Sequence, residues 1–364
     1  MRERARLAAA ALLVALAGEA RAETPTLVVA TWGGAYEEAQ RAALFAPFEE
    51  ETGLRVETIR YDGGVAPLRD GRTARADLVD MIRADARVAC AEGLIAPLGS
   101  LALAAAPDGA PAEADFEPGA LGPCWVAHLS FATVIAYDDR AFPGEKPATV
   151  ADFFDAERFP GRRALRDEPT GALEWALGAY GAPRRQIYDL LSTERGIALA
   201  FRRLDAIRDD LVWWRGGEEP ARMLAEGRAA MASGFNGRFF HAREIEGAPI
   251  EVIWDGALIE RNVWAIPDGA PNMEAARRFI RFATRPDRMA AVATRIPYGP
   301  TRRSALSRVG LHPETGAPMR AHLPAGPRRR ALAIEKDDAW HAATEGLRRR
   351  RFDAWRAGAP VSSK

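Results

Sequence analysis

The sequence predicts an α/β fold, and three observations carry the prediction. Apolar runs with β-branched residues alternate with segments of helical period; the first alternation is punctuated by a glycine pair; and the composition is that of a packed chain. Of 364 residues, 48% are hydrophobic and 27% charged, which excludes long disorder and collagen-like repeats. The length accommodates two domains or lobes, each with its own core.

Taken in order, the elements begin with an export signal. Arg2, Arg4 and Arg6 precede an apolar run over 7–17, and Ala20-Arg21-Ala22 is a small-x-small triplet. This is the three-part pattern of a secretory signal peptide over residues 1–22. The run is far shorter than the ~20 residues of a membrane-spanning helix, and the expected location is the periplasm. Residues 26–32 read as a buried strand, with Leu27, Val28, Val29 and Ala30 contiguous. Gly33-Gly34 breaks it, a helix is expected over 35–51 with Pro47 starting a new turn, and 56–61 resume as strand. A further strand over 76–81 leads into a helix ending near Gly93. Residues 102–122, rich in Ala, Pro and Gly, read as irregular.

The strand over 133–137 is followed by a mostly helical stretch over 150–155, 171–180 and 194–210. In the last of these Ile197, Phe201, Leu204 and Ile207 form one stripe. Strands are expected over 211–214, 229–235, 250–254 and 262–266, with helices over 219–226 and 237–245 between them. Two helices follow, over about 273–283 and 286–294. In the tail, Trp340, Leu347 and Trp355 suggest an apolar stripe on a basic helix that docks on the body with its arginines in solvent.

Charge and motifs narrow the function classes. Fifty basic and fifty acidic residues cancel, so no global field draws in nucleic acid or an anionic membrane. Lysine occurs only at 146, 336 and 364; the arginine excess reads as base-composition bias. The two cysteines, Cys90 and Cys124, form a disulfide if the chain is exported, contributing roughly 3 kcal/mol; two free buried thiols are the alternative. The five histidines lack metal-ligand spacing, so neither metal nor cofactor is expected. No nucleophile-elbow, dinucleotide, P-loop or zinc-protease motif is present, and no residues stand out as catalytic.

An ordered set of segments carries a resemblance. It comprises Thr31-Trp32-Gly33-Gly34-Ala35-Tyr36, Phe48-Glu49-Glu50-Glu51-Thr52-Gly53, Cys90-Ala91-Glu92-Gly93-Leu94, Thr133-Val134-Ile135-Ala136-Tyr137-Asp138, Phe159-Pro160-Gly161, Phe235-Asn236-Gly237-Arg238, Trp264-Ala265-Ile266-Pro267 and Ile296-Pro297-Tyr298-Gly299-Pro300. The set resembles bacterial extracellular solute-binding proteins of ABC importers, in the spermidine/putrescine branch. The resemblance implies a type II periplasmic-binding-protein fold, two α/β lobes joined by crossing strands with a ligand cleft between. Lobe 1 would be 23–136 with 267–310, lobe 2 would be 137–266, and 311–364 a helical segment packed on both. It further implies a monomer that binds a small polar or cationic solute and docks on a membrane permease, without catalysis and without nucleic acid.

By the same resemblance Trp32 and Phe235 are aromatic walls and Tyr298 a third, suited to the methylenes and ammonium groups of a polyamine. Tyr36, Asp80, Asn236, Glu260 and Asn262 complete the expected ligand contacts, although Asn236 also reads as a turn residue before Gly237. Asp62, Asp167 and Glu168 read as surface or turn acids, and Trp213, Trp214 and Trp254 as core or hinge. One departure stands out. Polyamine binders carry an aspartate where this chain has Asn262, which is neutral. An ammonium there needs Glu260 instead, and the neighbouring Arg261 suits a carboxylate. A polyamine is the favoured ligand, an amino-acid-like or carboxylated solute the alternative, and a periplasmic enzyme on the same fold the third reading. Scattered tyrosines argue against a ferric-ion binder.

Overall fold

The computed structural model describes residues 25–358; the expected signal peptide lies outside the described residues. Strands β1 (Thr26–Thr31), β2 (Arg55–Arg60) and β3 (Leu78–Ile82) run parallel with β1 in the middle. Strand β4 (Trp125–Asp138) pairs antiparallel with both β7 (Met231–Phe235) and β8 (Ile250–Ala265). Strands β5 (Arg163–Arg166) and β6 (Leu211–Trp214) extend the sheet in parallel from β7. The order is β2-β1-β3-β8-β4-β7-β5-β6, with β9 (Gly299–Pro300) on β4 and β10 (Ile334–Glu335) on β8.

Two strands thus serve both halves. The last residues of β8 pair with β3 and the first of β4, while the far ends of the same two strands pair with each other beside β7. Each half has its own core. Leu27, Phe45, Phe48, Trp264 and Phe279 fill one. In the other half the sheet is covered on both faces, by Phe153, Trp175 and Phe201 on one side and Trp214, Leu224 and Phe239 on the other. A two-lobe α/β architecture with helices over the sheet follows. The disulfide Cys90–Cys124 ties the helix Arg83–Ala91 to the start of β4.

Several elements differ from the sequence reading, for physical reasons. The runs 250–254 and 262–266 belong to one strand, β8, of 16 residues. What separates them in sequence is a bulge rather than a turn: pairing passes from Ile135↔Ile253 to Thr133↔Leu258, and Gly256 takes φ +71°. Its polar groups are satisfied locally. Asp255 accepts from the Val150 amide (2.9 Å) and the Gly256 carbonyl from the Trp175 indole (2.7 Å). Pro47 starts a new turn as expected, within the first turn of the helix Ala46–Thr52. Its ring and missing N–H are accommodated by a π-turn over Arg41–Phe45.

The tail helix Asp338–Arg356 docks through two residues of the expected stripe, Trp355 in the core and Trp340 packed against it, but not through Leu347. Leu347 is 40% exposed, and His341, Arg348, Phe352 and Trp355 form the buried face. Nor are its arginines simply solvated. Arg348 donates to Thr344, Thr170 and the His341 carbonyl, Arg351 pairs with Glu194, and Arg356 with Asp167.

Candidate functional site

Open α/β sheets bind ligands beyond the carboxyl ends of their strands, and here such ends from both halves face one cleft of about 1020 Å³. Just past β1 come Trp32 and Gly33, from β3 Ile82 with Asp85 on the helix that follows, from β5 Arg166 with Glu168 just past it, and from β7 Phe235 with Arg238 on the helix that follows. The shared strands contribute Phe131, Glu260 and Asn262. Gly33 has φ +74°, and a Cβ there would lie 2.5 Å from Arg60 Nη1. The glycine lets the chain turn from strand to helix directly under the cleft wall.

The aromatic walls are Trp32, Phe131, Phe235 and Tyr298. Trp32 packs edge-on against Tyr61 (5.2 Å), and its buried indole N–H has no hydrogen-bond partner among the described residues. Phe235 lies 6.2 Å from Phe131, with the Arg166 guanidinium 5.5 Å over its ring. Tyr298 contacts Tyr36 (5.5 Å) and Phe131 (6.0 Å). Burial pushes its phenol up to about 12, against the pull of Arg238. Phe131 escapes the sequence reading because an aromatic inside an apolar strand looks like core. Trp214 is core, and Trp254 lies under Arg329 outside the cleft lining.

Asp80 does not reach the cleft. It is fully buried behind Tyr36, whose hydroxyl donates to it at 2.6 Å. Gln40 Nε2 (2.7 Å) and Asn262 Nδ2 (2.9 Å) also donate, and His128 Nε2 lies 3.2 Å away. A one-residue bulge in β4 aims His128 at this carboxylate and stacks its ring on Trp264 at 4.2 Å. Burial, and then the Asp80 charge, hold the Tyr36 phenol well above its ordinary range. Asp80 therefore orients Tyr36 and Asn262, which do line the cleft.

Asn236 is likewise consumed by the fold. Its Oδ1 accepts from the Ala132 amide (2.9 Å) and its Nδ2 donates to the Pro297 carbonyl (2.6 Å). It staples β7 to β4 and to the segment carrying Tyr298, and is absent from the cleft lining. Asp167 also faces elsewhere, paired with Arg215 and Arg356. Glu168 and Asp62 do line the cleft, paired with Arg166 (2.7 Å) and Arg60 (2.7 Å).

The cleft charge is mixed. Glu260 pairs with Lys336, both mostly buried. Burial opposes the ammonium, but the charge and hydrogen bond of Glu260, with the charges of Asp338 and Glu174, raise the lysine's pKa overall. The lysine arrives from the tail because β10 runs parallel to β8, Ile334 opposite Leu258 and Glu335 opposite Ile259, which brings residue 336 to 260. Reading the scarce lysines as composition bias misses this residue. Arg238 and Arg295 add exposed cations.

The deciding comparison is with known families. A model for bacterial extracellular solute-binding proteins matches residues 43–316. The chain belongs to that family. This solute-binding protein is 34% identical over 348 residues to the gamma-aminobutyric acid-binding protein of Pseudomonas aeruginosa, spanning 94% of each chain. It is 28% identical to the spermidine/putrescine-binding periplasmic protein of Escherichia coli, but over 176 residues, 48% of each chain. An ABC transporter substrate-binding protein from Bradyrhizobium japonicum superposes with a TM-score of 0.78 at 27% identity, covering 91% of this chain and 99% of that one. The protein is the substrate-binding component of an ABC transporter. The sequence likeness to a polyamine-binding protein covers about half the chain, and that to the gamma-aminobutyric acid-binding protein nearly all of it.

Proposed function

We propose that the protein captures a short zwitterionic solute of the gamma-aminobutyric acid class in the periplasm and delivers it to a membrane permease. The observation that carries this reading is the mixed charge of an aromatic-walled cleft, in which the Glu260 carboxylate and the Lys336 ammonium stand side by side. A diamine asks for a carboxylate at each end. At the position where the resemblance expects one, Asn262 is neutral and its Nδ2 is spent on Asp80.

Hydrogen bonds to charged groups contribute about 1.5–3 kcal/mol each, and cation–π contacts about 0.5–2 kcal/mol. A few of these, less ordering costs, reach micromolar affinity, about −8 kcal/mol. Closure of the lobes about β4 and β8 then follows from tighter ligand contact in the closed state. Relatives act as solute binders rather than enzymes, and binding without turnover is the expected behaviour.

Calorimetric titration of the purified mature protein with gamma-aminobutyric acid, other ω-amino acids, putrescine and spermidine tests the reading. Saturable heat with an ω-amino acid, and little with the polyamines, is the expected result. Tight putrescine binding with none of the amino acids would reverse it.

A further inference from the structure

We propose that Lys336 decides between zwitterion and diamine in this cleft. In the empty protein it neutralises Glu260; an incoming amino acid replaces that one pair by two, its ammonium on Glu260 and its carboxylate on Lys336. This rests on the amino-acid reading above.

Position supports the assignment first. The parallel pairing of β10 with β8 fixes residue 336 beside 260, and the strap around it is anchored on all sides. Arg261 pairs with Glu335, Arg330 with Glu117, and Arg83 with Asp338 at 2.7 Å. Those partners bind the neighbouring charges to the fold and leave the Glu260–Lys336 pair facing the cleft. Arg261, whose charge suggests a carboxylate site in sequence, is 2% exposed and already paired, so it does not serve.

Residue type supports it second. The chain uses arginine almost everywhere, yet the cleft wall has a lysine. A lysine is a compact ammonium on a flexible stem, able to turn from a carboxylate to a nearby ligand, whereas a guanidinium fork favours a fixed two-point pair.

Charge balance supports it third. Asp85 and Glu260 both feel the Lys336 ammonium, while Arg166 is occupied by Glu168. A diamine that took Glu260 would deprive the mostly buried Lys336 of its ion-pair partner and leave it only the more distant charges of Asp85, Asp338 and Glu174, which is unfavourable. A zwitterion satisfies both groups. Without Lys336, the same acids become an amine site.

The test titrates gamma-aminobutyric acid, putrescine and butyrate into the wild type and into the variants K336M and E260Q, with thermal melts to verify folding. K336M is expected to lose about tenfold or more in affinity for the amino acid and to bind putrescine about tenfold or more tighter than the wild type. E260Q, with Lys336 released, is expected to lose the amino acid and to gain butyrate. If the wild type binds no ω-amino acid, the functional reading itself fails. If the wild type binds one and K336M keeps both its affinity and its rejection of putrescine, the assignment of Lys336 alone is overturned. Should K336M not fold, E260Q decides: unchanged amino-acid affinity, with no gain of butyrate, refutes the exchange.

Discussion

Replacing Asn262 by aspartate restores the residue type that the polyamine-binder resemblance expects, and the structure predicts that this damages the protein instead of converting it. Asn262 Nδ2 sits 2.9 Å from the Asp80 carboxylate, and both side chains are buried. N262D removes a donor and sets two carboxylates against each other. At about 3 Å and an effective dielectric of 20 the repulsion is about 5 kcal/mol. The pair escapes by taking up one proton, which at pH 7 costs about 4 kcal/mol relative to a free carboxyl group near pH 4. The expected loss of stability at pH 7 is therefore bounded at about 4 kcal/mol. The sign with pH follows from the raised pKa of the pair. The protonated state is free below the unfolded pKa, and the deficit grows as pH rises above it. Urea unfolding of wild type and N262D, compared at pH 7.0 and 4.5, should give a difference of about 4 kcal/mol shrinking to below about 1 kcal/mol. Calorimetry should show no gain of putrescine. A stability loss that is small and independent of pH, or strong putrescine binding by N262D, would refute the geometry assigned to Asp80.

Two further substitutions probe groups that the cleft depends on indirectly. Asn236→Ala leaves the buried Ala132 amide and Pro297 carbonyl without their partner and should cost about 1–3 kcal/mol in urea unfolding. Glu174 is fully buried; burial pushes its carboxyl up, but the hydrogen bond and charge of His341 (3.0 Å) hold it below its ordinary value. A lowered carboxyl pKa stabilises the fold above the unfolded value and loses that contribution as pH falls through the folded one. Glu174→Gln should therefore destabilise by about 1–3 kcal/mol at pH 7, with the difference from wild type narrowing below about pH 4.5.

Local signals and long-range pairing divide what was legible. The place of Trp32 is legible locally, because an apolar run followed by two glycines marks a strand carboxyl end with a tight turn into a helix, where α/β sheets bind ligands; its role as a wall comes from the resemblance. Phe235 and Tyr298 were reached through the resemblance, and the structure brings both to the same cleft. The continuous β8 was not legible. Asp255-Gly256 has the composition of a turn, and the partners that hold it as a bulge, the Val150 amide and the indole of Trp175 on the helix Ala172–Gly178, are distant in sequence. Asp80 shows the same limit from the other side. Its sequence neighbours are apolar, so a carboxylate there invites a ligand role, yet Tyr36, Gln40, His128 and Asn262 converge on it from three other segments.

Lys336 carries that argument to the ligand itself. Residues 260 and 336 are joined by a two-residue strand pairing that leaves no trace in periodicity, so sequence shows Glu260 as an unopposed acid and favours a cation. The structure opposes it with an ammonium, and an acid so balanced selects against a second cation unless a carboxylate comes with it. On the proposed reading, ligand class is set by the pairing of a distant tail, while the aromatic walls on their own would suit either amine.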